Sequence, residues 1–291
     1  MKQFLTLNDL QNFDAQVALA KEIKANPYQY EELGKRKTLG LLFFNPSLRT
    51  RLSTQKAGRL LGMDVMVMNF SNEAWAIEYE DKTIMEGLRS EHVKEAAQVV
   101  SQYCDVVGIR AFATLTDKEK DESEQVLQKF IQYASVPILN MESATAHPLQ
   151  ALADALTLTE LSLPKKPKVV LTWAPHPKAL PHAVGNSFAR MMEHQDADFV
   201  IANPEGYDLD PRITKDIPVV HNQAEALKGA DVVYAKNWSS YDSYGQILRT
   251  DNEWMLTPEK MDQTNNPYFG IGFGCFFGQL TDDILRLIYI F

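Results

Sequence analysis

Short apolar runs at Thr38–Phe44, Asp64–Asn69, Asp105–Ile109 and Val136–Asn140 alternate with longer stretches of helical periodicity at Thr50–Leu61, Glu91–Tyr103 and Glu122–Ala134. Strands that are apolar at consecutive positions are buried on both faces, and helices between them make the crossovers of a parallel sheet. A long helical stretch, Pro148–Glu160, and the loop Leu163–Pro167 precede a second series of the same kind. Its strands are predicted at Lys168–Trp173, Asp198–Ala202, Pro218–Val220 and Asp231–Ala235, with helices near His182–Glu193 and Gln223–Lys228. The pattern predicts an α/β protein of two doubly wound parallel-sheet lobes, residues 1–147 and 148–291, joined by an interdomain helix, with the active site in the cleft. A chain of 291 residues is also longer than a single core usually holds.

In open parallel sheets, ligands bind beyond the carboxyl ends of the strands. Here those positions are polar: Asn45 to Arg51, Arg110, Glu142 with His147, His176, and Lys236-Asn237-Trp238. The net charge of −9 disfavours nucleic-acid or anionic-membrane partners, so any anion site has to be local. Two cysteines, Cys104 and Cys275, are too few for a disulfide framework, and the start Met1–Thr6 has no apolar signal segment. A cytoplasmic setting is expected. The closing run Ile284–Phe291 is far shorter than the ~20 residues of a membrane span and reads as a strand or helix end.

Ser47-Leu48-Arg49-Thr50-Arg51 sits between an apolar strand and a helix, where backbone N–H groups, hydroxyls, a guanidinium and the helix dipole can converge on a phosphate. The same residues could instead form an Asn-Pro-Ser turn that caps the helix and leaves its arginines in solvent. Arg110, at the end of another strand of that sheet, adds a second positive charge. His147 and Gln150 open the interdomain helix and can donate hydrogen bonds to a carbonyl oxygen, although a histidine before a proline is commonly structural.

Ser-x-Arg-Thr-Arg, Arg110 and His147-Pro148-x-Gln150-x-x-Ala153-Asp154 together resemble the signature of aspartate and ornithine carbamoyltransferases. The longer stretches Phe43–Arg51, Thr172–Pro177 and Gly229–Trp238 resemble the N-acylornithine branch. The resemblance implies that Ser47, Leu48, Arg49, Thr50, Arg110, His147 and Gln150 bind carbamoyl phosphate, joined by Trp75 from a neighbouring subunit of a homotrimer. It implies that Glu142, His176 and Lys236 contact the acylated ornithine, and that Arg49, Thr50, His147 and Gln150 are the catalytic set. It implies no metal and no cofactor. The chemistry would be attack of a neutral δ-amine on the carbamoyl carbon. Ser90 stands where the branch sets acetyl against succinyl preference and matches neither usual choice, while Trp173–Pro177 leans towards the succinyl type.

One stretch departs from the family. Members carry a His-Cys-Leu-Pro segment that touches both substrates, followed by a carboxyl-terminal helix; this chain reads Gly270-Ile271-Gly272-Phe273-Gly274-Cys275-Phe276-Phe277-Gly278. The family pattern returns at Thr281–Ile284, as after a compensated frameshift, and then stops. Two expectations follow: an active N-acylornithine carbamoyltransferase that tolerates the altered tail, or a catalytically impaired carbamoyl-phosphate-binding member. The Gly-x-Gly-x-Gly run is not a dinucleotide fingerprint, because the flanking strand, helix and later acidic residue are missing.

Overall fold

The computed structural model describes residues 3–71, 73, 76–85 and 87–265, and the backbone of 268–271 and 288–289. Trp75 and most of the Gly270–Phe291 tail therefore lie outside the described residues. The chain divides into two compact units, residues 1–114 with 119–149, and residues 115–118 with 150–291.

The first unit is a parallel sheet of β1 (Gln3–Phe4), β2 (Thr38–Phe43), β3 (Asp64–Asn69), β6 (Val106–Arg110) and β7 (Ile138–Glu142), in the order β1-β7-β6-β2-β3. A small separate pair, β4 (Ile77–Glu78) and β5 (Glu91–His92), lies between β3 and β6 in the chain. Along β2, Leu39, Leu41 and Phe43 face Met141 and Leu149, while Leu42 joins Val93, Ala97, Ile109, Leu127 and Phe130 on the other face. This alternation explains why the strand reads as one apolar run: both faces are covered. Cys104 packs so closely on β2 that a Cβ at Gly40 would stand 2.6 Å from its sulfur. The helices of this unit are α1 (Phe13–Ala25), α2 (Arg49–Leu60), α3 (Val93–Tyr103), α4 (Lys118–Glu122) and α5 (Gln125–Tyr133).

From Pro148 to Glu160, helix α6 carries the chain from the first unit into the second. The second unit is a parallel sheet of β8 (Lys168–Trp173), β9 (Asp198–Ala202), β10 (Val219–Val220), β11 (Val232–Lys236), β12 (Tyr268–Ile271) and β13 (Ile288–Tyr289), in the order β10-β9-β8-β11-β12-β13. Its helices are α7 (Ala183–Met192), α8 (Pro211–Thr214), α9 (Gln223–Leu227) and α10 (Pro258–Met261). From Val169 to Trp173, β8 is buried at every position. Among the described residues, no helix is long and apolar enough to cross a membrane.

The α/β class and the two parallel sheets match the expectation, and β3, β8, β9 and α6 have the expected bounds. Three expected elements differ by more than one residue at an end. The helix expected at Glu91–Tyr103 starts at Val93, because Glu91–His92 pairs as β5 and His92 caps the helix through its ring nitrogen. Of the helix expected at Glu122–Ala134, Gln125–Tyr133 forms α5, while Glu122 ends the preceding α4 and the chain turns at Glu124, whose backbone is left-handed (φ 52°). The strand expected at Val136–Asn140 runs instead from Ile138 to Glu142, so Glu142 is part of the sheet.

Candidate active site

In the first unit the chain runs from β2 outward to β3 and then crosses to β6 on the other side of β2. The switch point therefore lies beyond the ends of β2 and β6, where flanking loops part and leave a crevice. Ser47 and Leu48 follow β2, and α2 begins at Arg49. No side chain caps this helix, and its first turn contains no acidic residue. An amino terminus of this kind, with Arg49 and Arg51 in its first turn, is set to receive an anion. Leu48 and Arg49 are exposed, and Ser47 and Thr50 are partly so.

Arg110 ends β6 and is buried. Its Nη1 donates to the carbonyls of Asn45 and Pro46 at 3.3 and 2.8 Å, which ties the β2–α2 turn to the neighbouring strand. Asn45 Oδ1 accepts from the Phe112 N–H at 2.7 Å, and the Phe112 ring lies 3.9 Å under the guanidinium. The β6–β7 register then slips: Ile109 pairs with Asn140, but Arg110 pairs with Glu142. Such a slip re-aims side chains. Here it sets Glu142 opposite Arg110, whose Nε and Nη2 donate to Glu142 Oε2 at 3.2 and 3.1 Å. His147 Nε2 lies 3.5 Å from the same oxygen. Burial pulls the Arg110 guanidinium below its ordinary value, and Glu142 opposes that shift.

The second unit also reverses its strand order, with two strands rather than one on the first side. From β8 the chain goes to β9 and β10 on one side and returns to β11 on the other, so the switch point lies beyond β8 and β11. Lys236, the last residue of β11, is buried and donates to the Asn237 carbonyl at 2.9 Å. Asn237 donates to the Ala174 carbonyl at 2.7 Å, and the Trp173 indole to the Trp238 carbonyl at 2.8 Å. Trp238 in turn donates to the Tyr207 carbonyl at 2.7 Å. His176 is half-buried in the loop after β8, where its Nδ1 accepts from the Lys178 N–H at 3.0 Å. Beside this network, His182 donates from Nε2 to the Ser239 carbonyl at 2.7 Å, and burial pushes its pKa down to about 4.

A family model described as the carbamoyl-P binding domain of aspartate/ornithine carbamoyltransferase matches residues 2–160. The chain is 48% identical to the N-succinylornithine carbamoyltransferase of Bacteroides thetaiotaomicron, over 92% of this chain and 85% of the relative. It is 37% identical to the N-acetylornithine carbamoyltransferase of Xanthomonas campestris, again over 92% and 85%. A crystal structure of a single-substitution variant of N-acetyl-L-ornithine transcarbamylase, complexed with carbamyl phosphate and N-succinyl-L-norvaline, superposes with a TM-score of 0.86 at 36% identity, covering 93% of this chain and 88% of that one. The chain belongs to the aspartate/ornithine carbamoyltransferase family.

In this carbamoyltransferase the first unit brings together Arg110, Glu142, His147 and the turn that leads to Ser47, Leu48, Arg49 and Thr50. Expected on the acylornithine side, Glu142 shares its carboxylate between Arg110 and His147. Gln150 lies across the unit boundary on α6, and its Nε2 donates to Asp154 Oδ1 at 2.9 Å, so one of its amide hydrogens is engaged within the helix. His176 and Lys236 belong to the second unit's switch point. Trp75 lies outside the described residues. Sequence reasoning gave Asp154 no role beyond its place in the motif, yet its carboxyl is fully buried and burial pushes its pKa up to about 7. Its helical spacing from Gln150, four residues, was the available signal.

Proposed function

We propose that this carbamoyltransferase moves the carbamoyl group of carbamoyl phosphate to the δ-amine of an N-acylornithine, N-succinylornithine in preference to N-acetylornithine, giving N-acylcitrulline and phosphate in arginine synthesis. The observation that carries the reading is the convergence of the uncapped α2 terminus and Arg110 at one switch point, in a chain 48% identical to an N-succinylornithine carbamoyltransferase. Residues 1–147 hold carbamoyl phosphate and residues 148–291 hold the acylornithine. Arg49, Arg110 and the backbone N–H groups of Ser47, Leu48 and Thr50 receive the phosphate. His147 and the Thr50 hydroxyl meet the carbonyl oxygen as it gains charge, each such donor contributing about 10²–10³ in rate. Gln150, braced by Asp154, orients the carbamoyl group. Glu142, His176 and Lys236 position the acylated amino acid; fixing two substrates in attacking geometry lowers the barrier by roughly 7–11 kcal/mol at the extreme.

The neutral δ-amine attacks the carbamoyl carbon to form the N–C bond, and as the tetrahedral intermediate collapses the C–O bond to phosphate breaks and the departing phosphate takes the proton lost by the amine. The reading extends to a cytoplasmic homotrimer in which Trp75 reaches a neighbouring subunit. Exposed apolar side chains on the first unit, Leu48 and Leu52 at the start of α2 and Met66 on the edge strand β3, support self-association.

A second reading, a carbamoyl-phosphate-binding protein of impaired catalysis, is favoured by the sequence Gly270–Gly278 in place of His-Cys-Leu-Pro. Ureido-product formation from carbamoyl phosphate with N-succinylornithine, N-acetylornithine and ornithine in parallel separates the two. Product with the succinyl substrate above the others supports the first reading; no product with any of them supports the second.

A further inference from the structure

We propose that Glu124 is a positioning residue for the carbamoyl-transfer site, acting by clamping the loop that connects Glu142 to His147. This rests on the function proposed above.

Only Ser143–Ala146 separate the end of β7 from His147, and Ser143, Ala144 and Ala146 are buried. A buried loop has to satisfy its polar groups internally. Most of that task falls to one carboxylate from outside the loop. Glu124 Oε1 accepts from Ser143 Oγ at 2.7 Å, from the Thr145 N–H at 2.8 Å and from Thr145 Oγ1 at 2.5 Å, while Oε2 accepts from the Ala144 N–H at 3.3 Å. Ser143 Oγ in turn accepts from Asn140 Nδ2 at 2.9 Å, which joins the clamp to β7 itself. Both ends of the clamped loop carry chemistry: Glu142, facing Arg110, and His147, 3.5 Å from Glu142.

The backbone at Glu124 points the same way. It is left-handed, φ 52° and ψ 37°, an arrangement that disfavours a side-chain-bearing residue. Glycine would relieve the strain but would bring no carboxylate. Strain of this kind persists where the surrounding structure determines it, and here it sets a glutamate at the head of α5, within reach of four loop donors. The site reaction has no use for Glu124 as acid, base or ligand. Its part is to keep the His147 ring and the Glu142 carboxylate in register with Arg110.

The experiment compares wild type with Glu124→Gly, Glu124→Ala and Glu124→Gln. It measures kcat and KM for both substrates, the His147 imidazole NMR signal assigned through His147→Asn, and the melting curve. In Glu124→Gly and Glu124→Ala, kcat is expected to fall about 10- to 100-fold with KM changed less than about threefold, and the His147 signal to move. Glu124→Gln, which still accepts hydrogen bonds, recovers most of the rate and of the signal; it is also the variant that answers if the others fail to fold. A folded variant with unchanged kcat and an unmoved His147 signal overturns the proposal. Wild-type protein without turnover would sink the reading of the function and leave the His147 signal to decide the role of Glu124.

Discussion

The two switch points of this protein both lie where strand order reverses, but they present their charges differently. In the first unit the cation nearest the helix terminus, Arg49, stands exposed, and the buried cation, Arg110, is held by a carboxylate and two carbonyls. In the second unit, the cation at the end of β11, Lys236, is buried and donates to the carbonyl of Asn237. The first arrangement suits a small, highly charged ligand that arrives with its own hydration to replace. The second suits a longer ligand with a charged group to be met by one fixed cation. Strand order decides where a site lies; the residues after each strand decide which ligand it can hold.

The contrast breaks most visibly at Glu142. Glu142→Ala leaves the Arg110 guanidinium buried without its counter-ion, and stability should fall by about 3–5 kcal/mol, read as a lower urea midpoint. Next is Arg49→Ala. Because the side chain is exposed, the melting curve should stay within about 0.5 kcal/mol of wild type. Activity should nonetheless drop by about 10²–10³, seen in kcat/KM for carbamoyl phosphate. In the second unit, Trp238→Phe removes the donor to the buried Tyr207 carbonyl and should cost about 1–3 kcal/mol in the same urea titration.

The smallest effect is a slope with pH. Asp154, raised to about 7, favours the folded state when protonated; its contribution is complete below its unfolded pKa near 4 and is lost as pH rises through about 7. His182, lowered to about 4, favours the folded state when neutral; its contribution is complete above its unfolded pKa near 6.5 and is lost as pH falls through about 4. Both groups lie in the second unit, and the slopes oppose each other between about pH 4 and 6.5, each at most about 1.4 kcal/mol per pH unit. Asp154→Asn should therefore make stability rise with pH in that window, and His182→Asn should make it fall, in denaturant titrations at a series of pH values.

Much of this was legible beforehand. A strand buried on both faces shows as an unbroken apolar run, which is why β8 could be bounded to the residue. Helix α1 shows little periodicity, because only Phe13 and Val17 of its thirteen residues are buried; the Asn12 side chain that caps the Ala15 N–H is its usable signal. Strands β1 and β4, each two residues long, carry no periodicity to read. For the site, the residues of the β2–α2 turn and Arg110 could be named from sequence. The pairing of Arg110 with Glu142 could not, since it depends on a one-residue slip between β6 and β7. The clamp by Glu124 joins residues 19 to 21 positions apart and hinges on a left-handed backbone that no local pattern announces.

Carbamoyl phosphate binding, measured by titration calorimetry on wild type, Arg49→Ala and Lys236→Met, tests the division between the two switch points most directly. The account predicts that Arg49→Ala loses at least about tenfold in affinity, while Lys236→Met binds carbamoyl phosphate as wild type does and is impaired only towards the acylornithine. Equal loss in both variants, or full affinity in Arg49→Ala, would contradict it.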